Sequence, residues 1–351
     1  MAVRKKTESK TNAHWEREAL EKIALSALGE QKIARRWGIF FKSITFLYLF
    51  VLLFFAFGAS HTKGGSGNHT ALIEINGVIG EKEEVNAKDF FESIQRAYDS
   101  RGTKGIILKI NSPGGSPVQA GMINDEIKRQ KKLHPHIPVY AVVEDICASG
   151  GYYIACGADS IYADANTITG SIGVFSVVPN ISGFMKNKIG VTFDGVKTAT
   201  YADAPTSTRP LNAMEQKMMQ SGVDSIYNTF KSRVAEGRKR NMEYVDSIAQ
   251  GRVWTGTRGL NVGLVDEIGT LSDAIKAAAS MAKITTYRLK EYPEKKNILE
   301  QLFNNYKRTV SLHLIESELG VDHLLMMQQV KKVKAMVGVP QAKLPFTISV
   351  H

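Results

Sequence analysis

A chain of 351 residues with 43% hydrophobic and 23% charged content carries enough apolar material for one large core or two smaller ones, which excludes global disorder. The formal net charge of +11 would suit nucleic acid, but the basic residues are scattered, without aromatic interleaving or a reading motif, so no nucleic-acid partner is expected. Two cysteines, no Cys/His cluster and no phosphate loop point to no metal and no cofactor.

Residues 1–38 read as a cytoplasmic segment, because the stretch that follows, Ile39 to Ala59, is almost wholly apolar and long enough to span a bilayer as a helix. Lys32, Arg35, Arg36 and Lys42 crowd its N-terminal side, which by the positive-inside tendency puts the N-terminus in the cytoplasm and the rest outside. Ala56-Phe57-Gly58 resembles a processing site, but the segment before the apolar run is too long for an ordinary signal peptide, so a retained anchor is expected. Residues 60–69, with Gly64-Gly65-Ser66-Gly67-Asn68, form a flexible linker.

From residue 70 the chain repeats one order, an apolar strand, a glycine-bearing turn and a helix. Ala71–Val78, Gly105–Ile110 and Val139–Val143 are the strands, and Asp159–Ala163 and Val191–Val196 are shorter ones with Thr169–Gly173 as a loop between them. This order predicts parallel βαβ units with sites at the carboxyl ends of the strands. Leu211 to Arg238 has helical spacing, with Met214, Met218, Val223, Ile226, Phe230 and Val234 near one packing face, and Leu271–Met281 is a further helix. Residues 70–285 are taken as the catalytic domain. Residues 286–351 are an extension, helical from Asn297 and extended at Leu344–Val350.

Ala148-Ser149-Gly150-Gly151-Tyr152-Tyr153 follows an apolar run and opens into a helix, and a serine on such a turn is a candidate nucleophile. No histidine lies between Ile137 and Leu312, and His134 and His136 precede the strand whose far end carries Ser149. A Ser-His-Asp triad is therefore not available, and the base falls to a lysine, which must be desolvated to lose its proton near neutrality. Lys197 sits in Val191-Thr192-Phe193-Asp194-Gly195-Val196, a largely apolar setting in which Asp194 points to the opposite face if the segment is a strand. Lys186 and Lys188 are rivals that read as solvated surface charges. In Asn111-Ser112-Pro113-Gly114-Gly115-Ser116 the glycines let backbone N–H groups face a bound carbonyl, a way to hold an oxyanion. Cys147 and Cys156, one at a strand end and one two turns into the next helix, read as small buried hydrophobes rather than a disulfide.

Together, Ile110-Asn111-Ser112-Pro113-Gly114-Gly115, Ala148-Ser149-Gly150-Gly151-Tyr152-Tyr153 and Thr169-Gly170-Ser171-Ile172-Gly173-Val174 resemble the signal peptide peptidase A family of serine-lysine peptidases, over about Ala71 to Ala278. The resemblance implies a ClpP/crotonase-like α/β fold built from repeated ββα units, preceded by one transmembrane helix. It implies Ser149 as nucleophile, Lys197 as general base, Ser171 as the serine that hydrogen-bonds that lysine, and Gly115 and Gly150 as the oxyanion hole. It further implies a single-pass protein of the bacterial inner (cell) membrane that degrades remnant signal peptides and other apolar peptides outside the cytoplasm. Its implied assembly is a homo-oligomeric ring in which adjacent protomers share the dyad. Two alternatives keep the fold: a catalytically inactive membrane scaffold, separable by fluorophosphonate labelling of Ser149, and a crotonase-like acyl-CoA enzyme, for which a carboxylate acid/base is expected.

Overall fold

The computed structural model describes residues 67–282, 288–293 and 341–343, and in the N-terminal region residues 31–33 and 35–53 with Glu21, Lys22, Leu25 and Gly29. Two compact units divide the chain at Gly65/Ser66. In the first, Gln31–Leu53 is one helix, long and apolar enough to cross a membrane, with its apolar side chains unburied. It starts eight residues before the expected span. Positions 54–59 of that span and 60–66 of the linker lie outside the described residues.

The second unit is built on a mainly parallel sheet. β1 (His69–Asn76), β2 (Thr103–Ser112) and β4 (Val139–Ala148) run side by side, with β9 (Leu289–Tyr292) beyond β1. Alternation along these strands sorts their side chains to two faces. Ile73 and Ile75, then Ile106, Leu108 and Ile110, then Val139, Ala141 and Val143 face α1 (Ala87–Asp99), α2 (Pro117–Leu133) and α3 (Gly150–Ala155) in the main core. Leu72, Ile107, Tyr140 and Val142 form a second layer with Ala274 and Ala278 of α7 (Leu271–Met281). A methyl group on Gly105 would come 2.9 Å from the Ala278 Cβ, so the absent side chain sets how close this helix lies to the sheet.

The helices begin where the sequence supplies caps. Asn86 accepts the Asp89 N–H at 2.9 Å, Ser116 caps α2 ahead of Pro117, and Asn212 with Glu215 closes a capping box on α4 (Ala213–Arg238). Two shorter helices, α5 (Met242–Ile248) and α6 (Gly256–Asn261), follow.

Past β4 the sheet divides. The first half of β4 pairs with β5 (Ser160–Ala163), which carries β8 (Glu267–Ile268), and the last three residues pair with β6 (Ile168–Gly170), which carries the antiparallel β7 (Val253–Thr255). This corrects the expected loop at Thr169–Gly173, whose first two residues belong to a strand.

Two other expectations change. Val191–Val196 is irregular and exposed, because no described strand lies beside it to take its backbone hydrogen bonds. On α4 only Phe230, Val234 and Ala235 of the apolar residues are buried, whereas Met214 and Met218 stand in solvent. The helix expected from the spacing is present, but the N-terminal part of that face meets no core among the described residues. Asn297 onward lies outside the described residues except for Gln341 and β10 (Ala342–Lys343).

Candidate active site

β4 ends at Ala148 and the chain turns sharply at Ser149 into α3. Ser149 has φ +53 and ψ −115, a backbone that costs a non-glycine residue of order 1–3 kcal/mol. The turn is held by its surroundings: the Ser149 N–H donates to Gly170 O at 2.8 Å, and the Tyr153 N–H donates to Ser149 O at 2.9 Å. Tyr152, buried in the first turn of α3, donates its hydroxyl to Leu264 O at 2.9 Å, and burial pushes that phenol well above its ordinary pKa. Ser149 is wholly buried, and its Oγ has Gly173 O as partner at a long 3.4 Å.

The parallel register of β4 and β6 pairs Ala148 with Gly170, so Ser149 and Ser171 leave adjacent strand ends together. Ser171 is also at positive φ, +50, and nearly buried, with its N–H donating to Arg252 O at 2.7 Å. On the other flank Ser112 pairs with Cys147, and the chain runs on into β3 (Gly114–Gly115), against which α3 packs. A Cβ on Gly115 would stand 2.0 Å from Ile79 O, so only glycine lets this backbone lie where it does. The Ile79 N–H donates to Gly114 O at 3.0 Å and the Ser116 N–H to Ile79 O at 2.7 Å, which fixes the turn from one side. Ser149, Gly150, Ser171 and Gly115 are thus gathered at the carboxyl ends of neighbouring strands, as their motifs imply.

Lys197 is not gathered there. Its Nζ donates to Asp203 Oδ1 at 2.8 Å and to Thr200 O at 3.2 Å, on an exposed segment, and it makes no hydrogen bond to Ser149 or Ser171. The expected burial of this lysine does not occur within one chain, and its carboxylate neighbour is Asp203 rather than Asp194. Asp203 also accepts from Arg209, which in turn grips the buried Glu215 with both terminal nitrogens, at 2.9 and 2.7 Å. Lys197 first, and Arg209 with it, hold the Asp203 carboxyl down to about 2, and Arg209 does the same for Glu215. This chain of charges was missed from sequence, where the Asn212-x-x-Glu215 capping pattern was its one visible part. Lys186 and Lys188 are exposed, as expected of surface charges.

A cleft of about 400 Å³ opens beside Ser171, lined by Gly173, Val174, Phe175, Val223 and Tyr227. A larger cavity of about 720 Å³ lies where β4 changes partner, next to Lys109, which bridges Glu74 and Glu144, and contains none of the candidate residues. Cys147 and Cys156 are free and buried, and burial pushes both thiols up, Cys156 to about 12. Neither is suited to act as a nucleophile. His134 stacks on Tyr98 at 4.6 Å, at the opposite end of β4 from Ser149. Among the described residues no group of three or more His, Cys, Asp or Glu is placed to hold a metal ion.

Parallel strands that deliver a strained serine and a glycine turn to one edge place the chain in the class of α/β serine peptidases. Residues 131–285 match the model of peptidase family S49. A protein of Enterococcus faecium named for signal peptide peptidase SppA is 34% identical over 238 residues, covering 66% of this chain and 68% of that one. The chain belongs to peptidase family S49 and is of the SppA type. Protease 4 of Salmonella typhi is 35% identical over 260 residues, 73% of this chain but only 41% of that longer protein. Among solved structures, a mutant ClpP1 from Listeria monocytogenes is similar with a TM-score of 0.39 at 17% identity, over 58% of this chain and 94% of that one. The α/β organisation expected from the sequence is present in the described residues as a mainly parallel sheet with helices packed on it.

Proposed function

We propose that this chain is a membrane-anchored serine endopeptidase in which Ser149 is the nucleophile, Lys197 of an adjacent protomer is its general base, and apolar peptides such as remnant signal peptides are the substrates. The N-terminus is cytoplasmic, the helix over Gln31–Leu53 is the anchor and the S49 domain works on the extracytoplasmic side of the bacterial inner membrane. The basic residues before the apolar stretch support that orientation.

The observation that carries the reading is a division. The Ser149 end is buried, while the segment bearing Lys197 stands exposed with Phe184, Ile189, Phe193, Val196 and Tyr201, large apolar residues left uncovered among the described residues. A second copy covers them best, because a head-to-tail contact would bury these residues and bring each Lys197 to the next Ser149, and such a contact makes a ring where its rotation closes. Lys197 would then exchange Asp203 for the Ser149 hydroxyl, with Ser171 as its second partner.

The chemistry is acyl transfer. Lys197 Nζ takes the Ser149 proton as Oγ attacks the scissile carbonyl, and the Gly115 and Gly150 N–H groups hold the oxyanion. The same proton goes to the leaving amine. Water, giving a proton to Lys197, then attacks the acyl carbon; the bond to Ser149 Oγ breaks, the acid product leaves and Lys197 returns the proton to Oγ. Val174 and Phe175, at the wall of the cleft, favour apolar residues beside the cut. The test mixes Ser149→Ala and Lys197→Ala chains, each inactive alone, under conditions of subunit exchange. Partial recovery of peptide ester hydrolysis is expected, and no recovery despite exchange would place both residues within one protomer.

A further inference from the structure

Lys197 is held in place away from Ser149 by a carboxylate that serves two cations. Asp203 Oδ1 accepts from Lys197 Nζ and Asp203 Oδ2 from Arg209 Nη2, each at 2.8 Å. Arg209 also grips Glu215, Nη1 to Oε2 at 2.9 Å and Nη2 to Oε1 at 2.7 Å. Glu215 is wholly buried and accepts the Asn212 N–H as well, at 2.9 Å, so Arg209 stands on the fixed start of α4. Lys197 has no such footing, and its further bond is to Thr200 O on the same exposed segment. Asp203 therefore lies between a cation built into a helix start and a cation carried by a surface segment.

We propose that Asp203 and Arg209 form a latch on the general base: Asp203 parks Lys197 as its ammonium away from Ser149, and Arg209 keeps the carboxylate behind when the amine leaves. Both are then positioning residues for catalysis. The inference rests on the dyad proposed above. A carboxylate in contact favours the charged form of an amine, and a charged amine takes no proton from a serine. The parked contact and the working contact are thus exclusive states of one side chain. In passing from the first to the second, Lys197 gives one proton to solvent and breaks its ion pair, while Asp203 keeps Arg209 as partner. Both carboxyls are held down to about 2, Asp203 by Lys197 and Arg209 and Glu215 by Arg209, so both stay ionised near neutrality. Among the described residues these four groups make up the ion-paired set; Asp194, Lys186 and Lys188, earlier on the same stretch, are exposed. Because the parked form carries the extra proton, whatever strengthens it moves the acid limb of the rate profile to higher pH, and whatever weakens it moves the limb lower.

The test reads kcat/KM of the full chain, in detergent or lipid, for an apolar peptide ester against pH. Asp203→Asn removes the parking charge and should move the midpoint of the acid limb down by about one unit, a roughly tenfold gain at a fixed pH on that limb. Arg209→Lys keeps a cation beside Glu215 but lacks the fork that reaches Asp203 as well, so the carboxylate falls to Lys197 and the midpoint should rise by a similar amount. In the double variant, with no carboxylate to compete for, that rise should vanish. Opposite shifts mark a latch, since damage to the fold lowers the rate at every pH and moves neither midpoint. A midpoint unmoved or raised in Asp203→Asn overturns the proposal, as does a lowered one in Arg209→Lys, and Asp203→Asn decides alone if Arg209→Lys does not fold. Turnover that persists in Lys197→Ala with the same acid limb means that another group is the base, and the dyad and the latch fail together. Turnover lost in Lys197→Ala, with a limb that Asp203→Asn leaves in place, keeps the dyad and removes the latch.

Discussion

The turn at Ser149 and the segment around Lys197 stand in opposite states of completion. Ser149 is fixed by β4 before it, α3 after it, Gly170 beside it and a core of buried residues beneath, so its backbone strain is carried by packing that forms whether or not a neighbour is present. Among the described residues Lys197 has Asp203 as its side-chain partner, on a segment whose apolar residues face solvent. Under the proposed dyad, one half is determined by the fold of a single chain and the other would be left for assembly to position, so the proposed nucleophile would stay unassisted until subunits met.

The strongest way to break that comparison is to remove either end. Ser149→Ala and Lys197→Ala should each lower kcat/KM for an apolar peptide ester at least about a thousandfold, and the double variant should lose little more, since groups acting as a unit are not additive. Substantial turnover by Lys197→Ala would remove it from the role of base.

A change confined to the assembly half comes next. Val196→Asp, at a fully exposed position, should leave the thermal midpoint of the folded domain nearly unchanged while shifting sedimentation from oligomer to smaller species and lowering activity at least about tenfold. Retention of both size and activity would mean that this patch is not the contact.

The buried half responds differently. Phe230, fully buried and stacked on Tyr153 at 4.7 Å, supports α3 from behind, and Phe230→Ala should cost about 3–5 kcal/mol in chemical denaturation. At temperatures where the variant stays folded, fluorophosphonate labelling of Ser149 should persist.

The smallest effect expected is that of acid on the Lys197 segment. Asp203 has its carboxyl lowered to about 2 by Lys197 and Arg209, against about 3.9 when unfolded, so its contribution is present above the unfolded value and is lost as pH falls through about 2. The protection of amides in residues 197–203, relative to their intrinsic exchange at each pH, should fall between pH 4 and 2 before that of β4, and an equal pH-dependent fall in Asp203→Asn would show that another group is responsible.

The legible parts of the molecule are those whose signals are local. The three parallel strands announce themselves by short apolar runs, and the candidate site by two glycine turns whose meaning lies in their own backbone. Val191–Val196 misled because an apolar run rich in β-branched residues reads as a strand whether its faces are to be covered by the same chain or by another. Met214 and Met218 misled in the same way. Asp203 was missed because a loop partner six residues from a lysine has no periodic signature, and the pairing of Gln341 with Phe175 because strand partners that far apart leave no mark in either segment alone.

The long helix α4 has a mechanical consequence. Its first turn grips Arg209 through Glu215, and Arg209 grips Asp203, which grips Lys197; Phe230 and Val234, further along, are embedded against the layer that begins at Ser149. From Glu215 to Phe230 an α-helix advances roughly 22 Å at about 1.5 Å per residue. The helix therefore acts as a ruler with the Lys197 ammonium tethered near one end and the foundation of the Ser149 turn at the other. In the proposed ring, a stiff rod of this length would offer the lysine outward at a set reach, so the spacing between subunits would be written into a single element, and lengthening it by one turn would put the proposed base out of register everywhere at once.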